Sequence, residues 1–438
     1  MAPKTFLFMP ESAYGPTNNC IGIGHVLLQR GHRVVFAAEA SWAGRLEPMG
    51  FVEDLVDLAP PPEAPAADAD IGPEPSAGQF WTDFIRDTAP EFRKPTIEQL
   101  STFVQPTWQA LIDGARYCQP QLAEIVARQR PDVIIEDNVN CFPALLTGDA
   151  PFVRMVSCNP LEMRGPGLPP VFSGYASDDS SGWDEFRAEY DRTHRPMWTV
   201  YDEWVRSCGA PGLDDLDFIH TSQRLNMYLY PAAMDYVDRR PLDATWHRLD
   251  SSVRETDGEF ELPASLATDR HPEGSALIYL SLGSLGSADV DLMRRLVSML
   301  ARTRHRYIVS KGPLADEYEL PDNMWGATQV PQTRVLPLVD LVITHGGNNT
   351  TTECVHFGKP MVVLPLFWDQ YDNAQRVEET GHGVRLATYD FADDDLIGAI
   401  DRLLADAGMR SALERMSALV RSRSGVQLAG DLLEALVR

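Results

Sequence analysis

At 438 residues the chain exceeds the roughly 250–300 residues at which a single hydrophobic core stops growing, so its length argues for two domains. Its hydrophobic fraction of 44% is globular, and no apolar run approaches the roughly 20 residues that cross a bilayer, which excludes a membrane-spanning helix. With 38 basic against 63 acidic residues the net charge is −25, so nucleic acids and anionic membrane surfaces are excluded as partners and any phosphate site must be local.

The N-terminus carries one lysine, Lys4, and an apolar stretch too short for a signal peptide, so it reads as a first strand over 5–9. A helix over 18–30 follows, ending at Gly31 with Ile21, Leu27 and Leu28 on one face, and then a strand over 33–37. The proline-rich segment 59–77 reads as a mobile surface loop. Further strands are predicted over 132–136, 152–157 and 225–230. Between 253 and 274 the chain turns polar and punctuated, as an interdomain linker does. The second half restarts with a buried strand over 276–284 that ends in a turn of small residues, followed by strands over 307–310, 341–344, 361–365 and 384–387. A helical tail over 393–438 closes the chain. Short apolar runs alternating with amphipathic segments indicate an α/β fold with mostly parallel sheets. The six cysteines are scattered without CxxC spacing, which disfavours a zinc site or a disulfide framework and fits a reducing cytoplasm.

The densest chemistry follows the 341–344 strand. His345-Gly346-Gly347 leads into Asn348-Asn349-Thr350-Thr351-Thr352-Glu353, the start of a helix. Strand, glycine turn and helix start make an anion site, because free backbone N–H groups and the helix dipole face a bound phosphate. The hydroxyls of Thr350 and Thr351 can donate to phosphoryl oxygens, and Glu353 can accept from a ribose diol. After the next strand, Asp369 and Gln370 put a carboxylate beside a carboxamide, a pairing suited to neighbouring sugar hydroxyls; the bland reading of Asp369 is a helix cap.

Val330-Pro331-Gln332, then His345-Gly346-Gly347-x-Asn349-Thr350 with Glu353, Gly358-x-Pro360, Pro365, Asp369-Gln370, Asn373-Ala374, Arg376-Val377 and Gly381-x-Gly383 resemble, in order and spacing, the donor signature of the family 1 nucleotide-sugar glycosyltransferases. That group includes bacterial macrolide and antibiotic glycosyltransferases and plant and animal UDP-glycosyltransferases. The resemblance implies the GT-B fold, two Rossmann-like domains facing each other across a cleft. Residues 1–252 would bind the acceptor, 275–420 the donor, and a helix over 421–438 would pack back on the first domain. It further implies that His345 and Thr350, with Gly347 and Asn349 in the same turn, lie at the diphosphate together with Ser284. Glu353 would meet the ribose, Gln332 and the Val330 backbone the base, and Asp369 and Gln370 the sugar. Many members stack a Trp on the base just before Val-Pro-Gln; this chain has Gln329. The family inverts configuration by single displacement. No metal or cofactor is implied, the nucleotide diphosphate sugar being a co-substrate, and a monomer or homodimer is expected.

Members of the family usually carry Gly-His after the first strand, the His acting as general base and an Asp from another strand orienting it. Aligning the helix on Arg30-Gly31-His32-Arg33-Val34 puts Gly15-Pro16 at that place, so the base is missing. Thr17, Asn18 and Asn19 are not bases at neutral pH, and His25, two turns into the helix, is expected to face solvent. Asp137, ending the strand at the family's Asp position, remains. Three readings follow: Asp137 is the base, the acceptor is acidic or already nucleophilic, or transfer has been lost. Glu11 and Glu136 are further candidates.

Aromatic residues expected on the inner face of the first domain, among them Trp81, Phe84, Phe172 and Trp183, suit a flat or apolar acceptor, most simply a small natural product. The sequence thus points to an inverting transfer of a hexose from a UDP- or dTDP-sugar. A nucleotide-sugar epimerase and a non-catalytic auxiliary homologue are the alternatives.

Overall fold

The computed structural model describes residues 2–60, 79–255 and 257–438, so almost all of the segment predicted as a loop, from 61 onward, lies outside the described residues. The first half runs β1 (Thr5–Pro10), α1 (Tyr14–Gln29), β2 (Arg33–Phe36), β3 (Val52–Glu53), α2 (Gln105–Gln129), β4 (Val133–Asp137), β5 (Phe152–Val156), α3 (Trp183–Ser207), β6 (Asn226–Tyr228) and β7 (Trp246–Arg248). Among the described residues these strands form one parallel sheet in the order 3-2-1-4-5-6-7. The second half runs β8 (Leu277–Ser281), β9 (Arg306–Ser310), β10 (Met324–Ala327), β11 (Leu341–Thr344), α4 (Asn348–Phe357), β12 (Met361–Val363), α5 (Gln370–Glu379) and β13 (Gly383–Arg385). Its parallel sheet has the order 10-9-8-11-12-13. The two halves share no sequence repeat yet repeat one topology.

β4, β8 and β11 are buried along their whole length, and β1 over all but its first residue, which is why they read as unbroken apolar runs rather than alternating ones. Strand order reverses beside β1 and β4 in the first sheet and beside β8 and β11 in the second. Ligands of open α/β sheets bind in the crevice outside the carboxyl ends of strands at such a reversal. Glu11 and Asp137 leave the first sheet there; Ser281 and His345 leave the second.

Three expectations need correction. The first helix begins at Tyr14, a turn before residue 18, so Pro16 lies within its first turn, where a missing N–H costs nothing. The tail is three helices, Asp393–Ala405, Ala407–Arg423 and α6 (Gly425–Ala435), rather than one. Asp406 interrupts it by capping the next helix through Met409 N–H at 2.8 Å, and Ser424 interrupts it with φ of 46°. Several predicted strands also differ in extent: 225–230, 361–365 and 384–387 become β6, β12 and β13, because the apolar, buried run continues past the regular ladder, as at Leu229 and Leu364, which keep one bond each to the neighbouring strand. The edge strands β3, β7 and β10 are two to four residues long, too short for a periodic signal.

α6 returns from the end of the chain to the first domain, where Ala429 and Leu433 join Ile21, Ile23, Leu27 and Phe36 in one core. It also covers the flank of α1 that the sequence leaves to solvent. A Cβ on Gly22 would meet Ser252 Oγ at 2.8 Å and Val426 Cγ1 at 3.5 Å. His25, one turn on, is half-buried, with its Nδ1 buried and unpaired among the described residues. No described helix is long and apolar enough to cross a membrane.

Candidate active site

The turn after β11 is shaped by its glycines. Gly346 has φ of 85°, and a Cβ there would lie 2.7 Å from Val363 Cγ1, so no other residue fits. The His345 ring fills the space beside the next glycine, where a Cβ on Gly347 would sit 2.5 Å from its Nε2. Burial pulls His345 down to about 4, so it stands neutral at physiological pH and meets an anion as a hydrogen-bonding imidazole rather than a cation. Gly347 caps α4 without a side-chain bond, which leaves the N–H groups of the first turn without intrahelical partners. Thr351 turns its hydroxyl back to Gly347 O at 3.1 Å, whereas Thr350 Oγ1 accepts from Gln332 Nε2 at 3.3 Å. Ser284 is exposed in the turn after β8.

Glu353, one turn along α4, is 1% exposed and already engaged. Its Oε1 accepts from Arg254 Nη1 at 3.0 Å and Asn349 Nδ2 at 3.2 Å, and its Oε2 from Gln332 Nε2 at 2.7 Å. Val330 is half-buried two residues before Gln332. Gln329, standing where many relatives of the donor signature have Trp, donates to Tyr14 Oη of the first domain at 3.3 Å.

Asp369 occupies the cap position of α5 but makes no cap bond, so the bland reading of this residue fails. Its Oδ2 instead accepts the Asn159 N–H of the opposite domain at 2.9 Å. Gln370 Oε1 accepts from the N–H groups of Leu366 and Phe367, at 3.1 and 3.3 Å, and holds the 366–368 loop. That loop pushes two rings into the first domain. Phe367 lies 5.0 Å from Phe92, and Trp368 lies 4.5 Å from Phe172 and 5.2 Å from Trp108. Trp368 adopts φ of 58°, a conformation that a bulky residue takes only when its surroundings impose it. Of the expected acceptor aromatics, Phe172 therefore belongs to this cluster and Phe84 borders it, 6.0 Å from Phe103. Trp183 starts α3 beneath the Arg187 guanidinium, away from Trp368, and the side chain of Trp81 lies outside the described part.

Across the crevice Asp137 is 3% exposed. Its Oδ2 accepts from Ser157 Oγ at 2.6 Å and from Cys20 Sγ at 3.8 Å, and Asn19 Nδ2 donates to the same Ser157 hydroxyl at 3.1 Å. Cys20 is four residues beyond Pro16, so the helix face that would carry the missing histidine does look at Asp137, with a thiol in its place. Burial, with a smaller push from Glu11, raises Asp137 to about 7; Ser157 and Arg154 oppose it. Glu136 points elsewhere, into a fully buried pair with Arg154 Nη2 at 3.0 Å.

Against this geometry, residues 294–433 match the family model of the erythromycin biosynthesis protein CIII-like C-terminal domain. Over 99% of its length the chain is 26% identical to the oleandomycin glycosyltransferase of Streptomyces antibioticus, covering 91% of that protein. The chain is thus similar over nearly its whole length to a macrolide antibiotic glycosyltransferase. Solved structures with its two-domain fold include the glycotransferase of kitacinnamycin, with a TM-score of 0.66 at 21% identity and all of both chains covered. The glycosyltransferase VinC in complex with dTDP aligns with a TM-score of 0.61 at 18% identity, over 99% of this chain and 100% of that one.

Three residues of this glycosyltransferase escaped the sequence. Arg254 lies in the linker and carries no motif. Trp368 stands beside Asp369-Gln370, and nothing local shows that its ring reaches the other domain. Glu162, in the turn after β5, has its Oε1 buried and unpaired among the described residues. Burial and the nearby Asp369 and Asp137 carboxyls push it up to about 8.

Proposed function

We propose that this glycosyltransferase moves a hexose from a nucleotide diphosphate sugar to a small aromatic or apolar natural-product acceptor, with inversion and without a metal. The observation that carries the reading is the uncapped start of α4 behind His345-Gly346-Gly347, with Asp369-Gln370 in the same domain and Asp137 one step away: Asn348 Nδ2 donates to Ser157 O at 2.7 Å, and Ser157 Oγ donates to Asp137 at 2.6 Å. The diphosphate lies against the α4 N–H groups with His345, Gly347, Asn349, Thr350 and Ser284. Gln332 and the Val330 backbone border the base, and Asp369 and Gln370 bind the sugar. The acceptor rests beside Phe84 and Phe172, at the aromatic cluster around Trp368. Its hydroxyl oxygen attacks the anomeric carbon as the bond to the diphosphate oxygen breaks, and Asp137 takes the proton. The electrostatics of the α4 amides and of neutral His345 stabilise the departing diphosphate.

Between UDP- and dTDP-sugars, Glu353 favours the second. A carboxylate offers about four lone-pair positions, and three of those on Glu353 are taken, which leaves one for a ribose hydroxyl. The dTDP held by VinC is a donor portion of that kind. A thermal-shift panel of UDP, dTDP and GDP tests the assignment: dTDP should raise the midpoint most, and a larger shift with UDP would reverse it. The anomeric configuration of the product, read by NMR, tests inversion.

A further inference from the structure

Arg254 lies between the two sheets' segments, yet its side chain is only 10% exposed and bonds both Asp257 nearby and Glu353 of α4. Nε and Nη2 fork onto the two oxygens of Asp257 at 2.7 and 3.1 Å, and Nη1 reaches Glu353 Oε1 at 3.0 Å. Asp257 is itself anchored, accepting from Thr333 N–H at 3.1 Å and Thr333 Oγ1 at 2.8 Å, one residue after Gln332. The guanidinium is therefore fixed in plane by a bidentate partner that is tied to the segment bordering the base. The groups facing Glu353 are Arg254 and Asp257 from the linker, Gln332, Asn349 and Cys354, and Tyr279 of β8; Arg254 is the cation among them.

We infer that Arg254 is a positioning residue for the donor nucleotide: it fixes the orientation and the negative charge of Glu353, so that the linker forms part of the donor site. A carboxyl at this depth favours its protonated form unless a cation stands beside it, and burial does push Glu353 upward while Arg254 pulls it down. Protonated, it would lose acceptor capacity for the ribose. The inference rests on the reading of Glu353 as the ribose partner.

Steady-state kinetics at varied donor, on the full chain, separate the two. Arg254→Met should raise the donor KM on the order of tenfold at pH 7, with kcat at saturating donor within about twofold of the parent. The penalty should shrink as pH rises and Glu353 ionises again, and Arg254→Lys should recover most of the loss. Arg254→Gln is read in the same way if the Met variant does not fold. Glu353→Gln that leaves the donor KM unchanged would show that Glu353 does not meet the ribose. A raised KM in Glu353→Gln with a parental KM in Arg254→Met overturns the role of Arg254. So does a loss in Arg254→Met that is equal at every pH or that Lys does not relieve.

Discussion

A carboxyl shut between Ser157 Oγ and Cys20 Sγ and shifted to about 7 is half ionised at neutral pH, which is the condition a general base needs. Only the ionised form accepts the acceptor's proton. kcat/KM should therefore rise with pH through about 7 and level off above it, while Asp137→Asn should lower turnover at saturating acceptor by about 100-fold or more and abolish that limb. A pH–rate profile of both proteins checks this, and unchanged turnover in the variant removes Asp137 from the mechanism. The buried Arg154–Glu136 pair gives the contrasting case of a structural carboxylate. Arg154 also donates to His220 O at 2.7 Å and Asn138 O at 3.0 Å. Arg154→Met strands Glu136 without a counter-charge and should cost about 3–5 kcal/mol in denaturant unfolding; a loss below about 1 kcal/mol would mean that Glu136 finds another partner or water.

At the scale of elements, the unit β11, glycine turn and α4 was legible because its signals are local. An apolar run, two glycines and a hydroxyl-rich helix start each follow from the residues themselves. Gly346→Ala tests that unit. With φ of 85° and Val363 Cγ1 2.7 Å from the added carbon, it should destabilise by about 1–3 kcal/mol and weaken dTDP binding together. Calorimetry of both properties would show an unaltered turn if neither changes. The start of α1 was less legible, since Gly15-Pro16 reads as a turn until the helix is seen to admit Pro in its first turn. Trp368 was illegible as a contact, because what it touches lies on Phe172 and Trp108, some 200 residues away in the other domain.

The whole molecule concentrates buried carboxyls at the junction of its domains. Burial raises Asp369 to about 6, Asp137 to about 7, and Glu162 and Asp372 to about 8, all above the roughly 4 of an unfolded carboxyl. The native state thus binds more protons than the unfolded chain between about pH 4 and pH 8, so stability falls as pH rises across that window. The net charge of −25 adds self-repulsion in the same direction. The unfolding midpoint should be higher at pH 6 than at pH 8.5; the reverse order would mean that these groups are ionised in the folded protein.

By itself the sequence determined the two-domain parallel α/β architecture, the glycine turn at His345-Gly346-Gly347 and the absence of a histidine at Pro16, since apolar periodicity, glycine freedom and a side chain's lack of basicity are properties of residues and their near neighbours. Tertiary structure alone decided that Arg254 meets Glu353, that Cys20 and Ser157 hold Asp137, that Asp369 takes the Asn159 N–H, and that Trp368 enters the first domain. Those contacts join segments about 100 residues apart or more, or on different strands, and no local pattern encodes them. The Asp369 and Trp368 contacts cross from the second domain to the first, and burial sets the charge state of the carboxyls that these contacts surround.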